Sequence, residues 1–241
     1  MALNRKIVTT ELTPRLLAAY QTDRPAFWKI LDEEVLAQKI RFPLLESLGE
    51  LLFESIPQAE HFTFCDQLIA RETIGGNVLI GTILRLHLPD DMDFCFEKTK
   101  EYLIQGDVWY VCDIISERVP GRALLQDFDR AFALLQQDFI GHENGWIRRS
   151  PGVAGHLAVK WGLEAPYVER YLDWAVTLGN SKDDFIRTGI GWAVKTVARF
   201  HSDLVRRKKI LDNPDIGNWM KRKIEIGLAR PRDLKSKDAE D

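Results

Sequence analysis

Residues 124–139 read LLQDFDRAFALLQQDF. Leu125, Phe128, Phe132, Leu135 and Phe139 recur at alternating steps of three and four, the spacing of one buried stripe along an α-helix. Signals of the same kind run through the chain, and strict apolar–polar alternation is scarce. Thr13-Pro14 reads as an N-cap followed by proline at the first helical position, leading into Leu16 and Leu17. Asp23-Arg24-Pro25 starts another helix, with Phe27, Leu31 and Val35 on one face. Pro43 opens a third, with Leu44, Leu48, Leu51 and Leu52 turned inward. Pro166 begins a helix carrying Val168, Tyr171, Ala175 and Leu178, which Gly179 is placed to end. Ser181 with Asp184 reads as a capping box for the next.

The connections between these segments are short: Gly75-Gly76, Pro89-Asp90, Pro120-Gly121, Gly141, Gly162, Gly179-Asn180 and Asn213-Pro214. Short loops force consecutive helices to lie antiparallel. Helix pairs of roughly 35–40 residues are the size of HEAT-type units. The spacing therefore predicts an all-α fold, a HEAT-like helical-repeat solenoid of the α-α superhelix kind. No strict sequence repeat accompanies it, and a compact globular bundle is the competing architecture. One domain is expected over residues 1–229, followed by a charged, disordered tail over 230–241.

Composition bounds the function. Of 241 residues, 45% are hydrophobic and 29% charged, which is ordinary for a globular protein. No apolar run reaches the roughly 20 residues of a membrane helix, and Met1 to Val8 carry no export signal. Cys65, Cys95 and Cys112 are widely spaced in apolar surroundings, as reduced core thiols in a cytoplasm would be. The five histidines form no ligand pair at helical spacing, so neither a metal nor a cofactor is expected. The net charge of −3 hides an asymmetry. Residues 1–180 carry 18 Lys and Arg against 26 Asp and Glu, whereas residues 181–237 carry 15 against 7. Such a local surplus can attract phosphates even on an acidic chain. It can also be no more than a solvated basic helix.

Three segments carry candidate chemistry. In the first, Val108 to Ile115, Trp109 and Asp113 are four apart and share a helix face, and Glu117 continues the row. An ionised carboxylate there needs water or a partner. The plainer alternative has Trp109 in the core and Asp113 capping a helix or paired with an arginine. In the second, Asn144 to Arg149, two adjacent arginines point about 100° apart on a helix. Arg149 shares the face of Trp146, and one of the pair can enter the interior while the other meets solvent. In the third, Asp184 to Arg199, Trp192, Lys195 and Arg199 fall on one face. Gly189 and Gly191 cost about 1 kcal/mol each against alanine, tolerable where another backbone packs closely.

Together the three segments resemble the DNA alkylation repair family of HEAT-like proteins. The signatures are Trp109 with Asp113, Trp146 with Arg149, and Phe185-Ile186 with Ile190-Gly191-Trp192 and Lys195. The similarity spans most of residues 35–228. It implies stacked helix pairs with a concave, positively charged face for double-stranded DNA, and excision of purines alkylated at N3 or N7. By matching positions, Asp113 is the catalytic carboxylate and Trp109 and Trp192 the aromatic pair. Arg149 is the phosphate contact, with Arg148, Lys195 and Arg199 as further DNA-binding cations on a monomer. Val108 stands where the family's glycosylases have a second Trp. Ser150-Pro151-Gly152 stands where an apolar helix continues, so a helix should start or bend at Pro151. The family also contains members that bind branched DNA without glycosylase activity, so a non-catalytic DNA-binding module stays open. So does a protein-binding scaffold, suggested by the acidic first 180 residues.

Overall fold

The computed structural model describes residues 5–232, and most of the tail expected at 230–241 lies outside the described residues. Every regular element among them is helical. The fold is therefore all-α, built of HEAT-like helix pairs as the sequence predicts. Its contacts divide into two compact units, Met1–Arg118 and Val119–Asp241.

The first unit holds α1 (Arg5–Ile7), α2 (Thr13–Thr22), α3 (Arg24–Leu31), α4 (Phe42–Ser55), α5 (His61–Ile69), α6 (Ile74–His87), α7 (Met92–Gly106) and α8 (Trp109–Arg118). Its centre is α6. Residues 76–84 of this helix are all buried, as expected of a helix apolar on every side. The α4 helix packs along one flank of α6 and α8 along the other. Gly81 makes this possible: a Cβ there would lie 2.8 Å from Arg118 Cδ. The Arg118 side chain instead crosses α6 and donates to Glu46 Oε1 of α4 at 2.6 Å and to the Ile114 carbonyl at 3.0 Å. A buried cation is tolerated when it is paired and hydrogen-bonded in this way.

The second unit holds α9 (Pro120–Gln126), α10 (Phe128–Leu134), α11 (Gly145–Lys160), α12 (Ala165–Thr177), α13 (Asp184–Phe200), α14 (Ser202–Arg207) and α15 (Asn218–Leu228). Here α9, α11, α13 and α15 lie side by side. The α11–α13 contact is backbone against backbone. A Cβ on Gly152 would overlap the Gly189 carbonyl carbon and the Ile190 nitrogen, and one on Gly189 would overlap the Arg149 carbonyl. The glycine the sequence marks as costly is thus the one that lets a neighbouring helix close in.

Several local expectations are corrected. Thr13 is not a cap: a π turn over Val8–Leu12 carries the helix through, and Thr13 N–H donates to the Val8 carbonyl. The extra residue in that turn relieves the clash Pro14 would make in a regular helix. The stripe starting at Leu124 is interrupted, because the Asp127 side chain accepts from Arg130 N–H at 3.2 Å and starts a new helix at Phe128. Phe128, Phe132, Leu135 and Phe139 do form one buried face. Asp183 rather than Ser181 caps α13, accepting from Ile186 N–H at 3.0 Å. Pro151 does not start α11: it is buried seven residues in, and its carbonyl accepts from Tyr171 Oη at 2.8 Å.

Gly152→Ala should lower the unfolding free energy by about 3 kcal/mol, since backbone cannot yield as a side chain can. Urea melts read the loss. Gly141→Ala, whose Cβ would meet nothing within 4 Å, should change it by less than about 0.5 kcal/mol. Equal effects would show that α11 and α13 do not depend on this contact.

Candidate nucleic-acid interface

In the first unit the relevant residues lie on α8. Asp107 takes the left-handed conformation, with φ 40° and ψ 39°, and its N–H donates to the Leu103 carbonyl at 3.2 Å to close α7. Aspartate tolerates this region better than most residues. The chain then turns straight into α8, whose first residue is Trp109. The indole is 59% exposed, touched on its edge by Tyr110 at 5.8 Å and 88°. Trp109 is therefore not a core residue. One turn further, Asp113 is half-buried, and another turn on, half-buried Glu117 lies 3.6 Å from Arg118. The row expected from the spacing exists, with the indole exposed and both carboxylates half-buried.

In the second unit Asn144 caps α11, its Oδ1 accepting from Trp146 N–H at 2.8 Å and Ile147 N–H at 3.3 Å. The two arginines that follow differ. Arg148 commits all three guanidinium nitrogens within the unit: Nε and Nη2 to Asp183 at 2.9 and 2.8 Å, and Nη1 to the His142 and Glu143 carbonyls at 2.6 and 2.7 Å. It clamps the start of α13 to the turn before α11. Burial raises the Asp183 carboxyl, but the Ile186 N–H and Arg148 outweigh it and hold the group below the ordinary aspartate range. Arg149, half-buried, has its backbone pressed against Gly189.

On α13, Trp192 is half-buried and stacked on His156 of α11, with ring centroids 4.0 Å apart and planes at 22°. Thr196 Oγ1 donates to the Trp192 carbonyl at 3.0 Å. Its single proton is then spent, so at 2.5 Å it accepts from His156 Nδ1–H. The imidazole is neutral: burial first, then the charges of Lys160 and Lys195, push it down to about 3. Burial, then Lys223 and Arg199, also push Lys195 below the lysine range. Arg199 is half-buried, its Nε buried without a hydrogen-bond partner.

Trp192, Lys195 and Arg199 thus share one surface of the second unit, as their spacing predicts. Sequence reasoning missed His156, which supports the indole, and Thr196, which fixes the imidazole. A signal existed: His156 lies seven residues after Arg149 and four before Lys160, on one face of α11.

A family model described as DNA alkylation repair enzyme matches residues 26–207, three-quarters of the chain and the whole of α8, α11 and α13. The chain belongs to that family, which gives it a role in repairing alkylated DNA and makes DNA its partner. Searches of curated proteins and of solved structures return no match. No helix among the described residues is long and apolar enough to cross a membrane.

Because folded His156 takes up a proton only near pH 3 while the unfolded chain does so near 6.5, the unfolded state binds more protons between those values. Folding stability should therefore fall as the pH drops below 6.5 and level off below about 3, with this residue contributing up to about 1.4 kcal/mol per pH unit. His156→Phe keeps a ring against Trp192 but cannot titrate. Chemical melts across this range should show a shallower slope for the variant, and an unchanged slope would place His156 outside the effect.

Proposed function

We propose that this member of the DNA alkylation repair enzyme family is an N-glycosylase acting on duplex DNA that carries purines alkylated at N3 or N7. Such a base bears a positive charge and is already a good leaving group. When the C1′–N bond breaks, the bonding electrons neutralise the base and leave an oxocarbenium-like sugar. Water adds at C1′ and gives up a proton, leaving an abasic site. In this reading Asp113 supplies the negative charge that stabilises the sugar cation and orients the water. The indoles of Trp109 and Trp192 offer their faces to cationic groups. Arg149, Lys195 and Arg199 contact backbone phosphates, for which guanidinium forks are suited. Arg148, with its nitrogens engaged, serves DNA binding through the turn it holds. The protein acts as a monomer in the cytoplasm, where its buried free cysteines stay reduced.

The observation that carries this reading is the exposed indole of Trp109 one helical turn from Asp113. Folding gains little from a tryptophan left in water, so its place at the start of α8 is better explained by a ligand. Val108, where the family's glycosylases have a second indole, favours the alternative: a helical-repeat protein that binds branched or distorted DNA without cutting it. Preference for junctions over lesion duplex, with no base released, would decide for that alternative.

Base release from DNA methylated at purine N3 or N7 tests the proposal. Asp113→Asn should slow release about a hundredfold or more, and equal rates would end the role of Asp113. For binding, Arg149→Ala should weaken affinity and make the dependence of log K on log salt shallower by about one unit. An unchanged slope would exclude a phosphate contact at Arg149.

A further inference from the structure

The second unit contains a cavity of about 300 Å³ walled by Trp192 and His156. Five cations line it: Lys160 of α11, Lys195 and Arg199 of α13, and Arg230 and Arg232 of the segment after α15. No carboxylate lines it. Among the described residues of this unit, several other cations are paired. Arg148 meets Asp183, Arg170 meets Asp129, Arg187 meets Asp184, and Lys208 meets Glu169 and Asp173. None of the five cations around the cavity has such a partner there.

The arrangement is built, not a surface coincidence. Gly227 lets α15 settle against the Lys195 carbonyl, which brings the following residues over the cavity. Arg232 N–H then donates to the Arg199 carbonyl at 2.9 Å. This gathers like charges, lowers the proton affinity of Lys195, and leaves Arg199 Nε buried without an acceptor. Each of those costs is reversed by one event, the arrival of an anion with several acceptor oxygens. Three guanidinium forks and two ammonium groups suit a tetrahedral phosphate better than a planar carboxylate.

We infer that this cavity is a phosphate-binding pocket. Its Arg230 and Arg232 wall lies beyond residues 26–207, so the pocket draws on a part of the chain outside the family match. The phosphate is either a backbone group of bound DNA, in which case the inference rests on the reading above, or free phosphate.

Calorimetric titration of the full chain with inorganic phosphate, at ionic strength held constant with chloride, tests the pocket. Saturable binding is expected with a dissociation constant of roughly millimolar or below. Lys160→Gln and Arg230→Gln, both at exposed positions, should each weaken it about tenfold while keeping the wild-type circular dichroism. No saturation by about 50 mM phosphate, or wild-type binding by both variants, overturns the inference. A second titration with duplex DNA present identifies the source: competition points to a backbone phosphate, independent binding to a free anion. The first titration contains no DNA, so failure of base release leaves the pocket standing. Base release without saturable phosphate binding removes the pocket and leaves the glycosylase.

Discussion

The second unit depends on two helices approaching without side chains between them. At Gly152 and Gly189, α11 and α13 touch through backbone atoms, and the other placements follow. Arg149 lies at the contact itself, its carbonyl against Gly189. His156, one turn beyond Gly152, comes within stacking distance of Trp192, one turn beyond Gly189. Wider separation would deprive the indole of its support and Thr196 of its donor. The same device recurs where Gly227 brings α15 onto α13. Glycines that weaken an isolated helix here fix the distance between helices, and through it the position of the aromatic and basic groups.

Charge is treated in two ways. Arg118 is buried with its stem over Gly81, its two terminal nitrogens on Glu46 and the Ile114 carbonyl and only Nε without an acceptor. Arg148 is likewise consumed by Asp183 and two carbonyls. These arginines cost little because each loses water and gains acceptors. Lys195 and Arg199 lose water too, and like charges surround them instead. A surface that pairs its cations serves folding, whereas one that leaves them facing each other serves an anion that comes and goes.

The sequence made the helical class legible because periodicity reports the buried face directly: Phe128, Phe132, Leu135 and Phe139 lie where the steps of three and four put them. Boundaries were less legible, since several polar residues compete to cap and geometry selects one. Asp127 restarts the chain in the middle of an unbroken apolar stripe, and Asp183 displaces Ser181. Pairs formed across helices were not legible at all. The histidines have no helical spacing, yet His61 Nε2–H donates to the Ile56 carbonyl at 2.9 Å, leaving Nδ1 to accept from His87 Nε2 at 2.9 Å. At the candidate interface, the spacing of Trp192, Lys195 and Arg199 predicted a shared face. That of Arg148 and Arg149 required different environments but not which arginine would be clamped.

An uncoupling of binding from reaction chemistry fits these features. A cationic base leaves readily, so an enzyme acting on it has little need to polarise the base and can act mainly on the sugar left behind. The requirement is then a fixed negative charge, shielded enough to be strong and open enough to meet a duplex. Asp113 is half-buried, between exposed Trp109 a turn before it and the Glu117–Arg118 end of α8. Deep burial would cost the carboxylate its charge, and full exposure would dilute its field in water. In the proposed reading half-buried Asp113 lies between these limits, and the exposed indole of Trp109 would present an apolar face to the duplex without requiring a deep cavity.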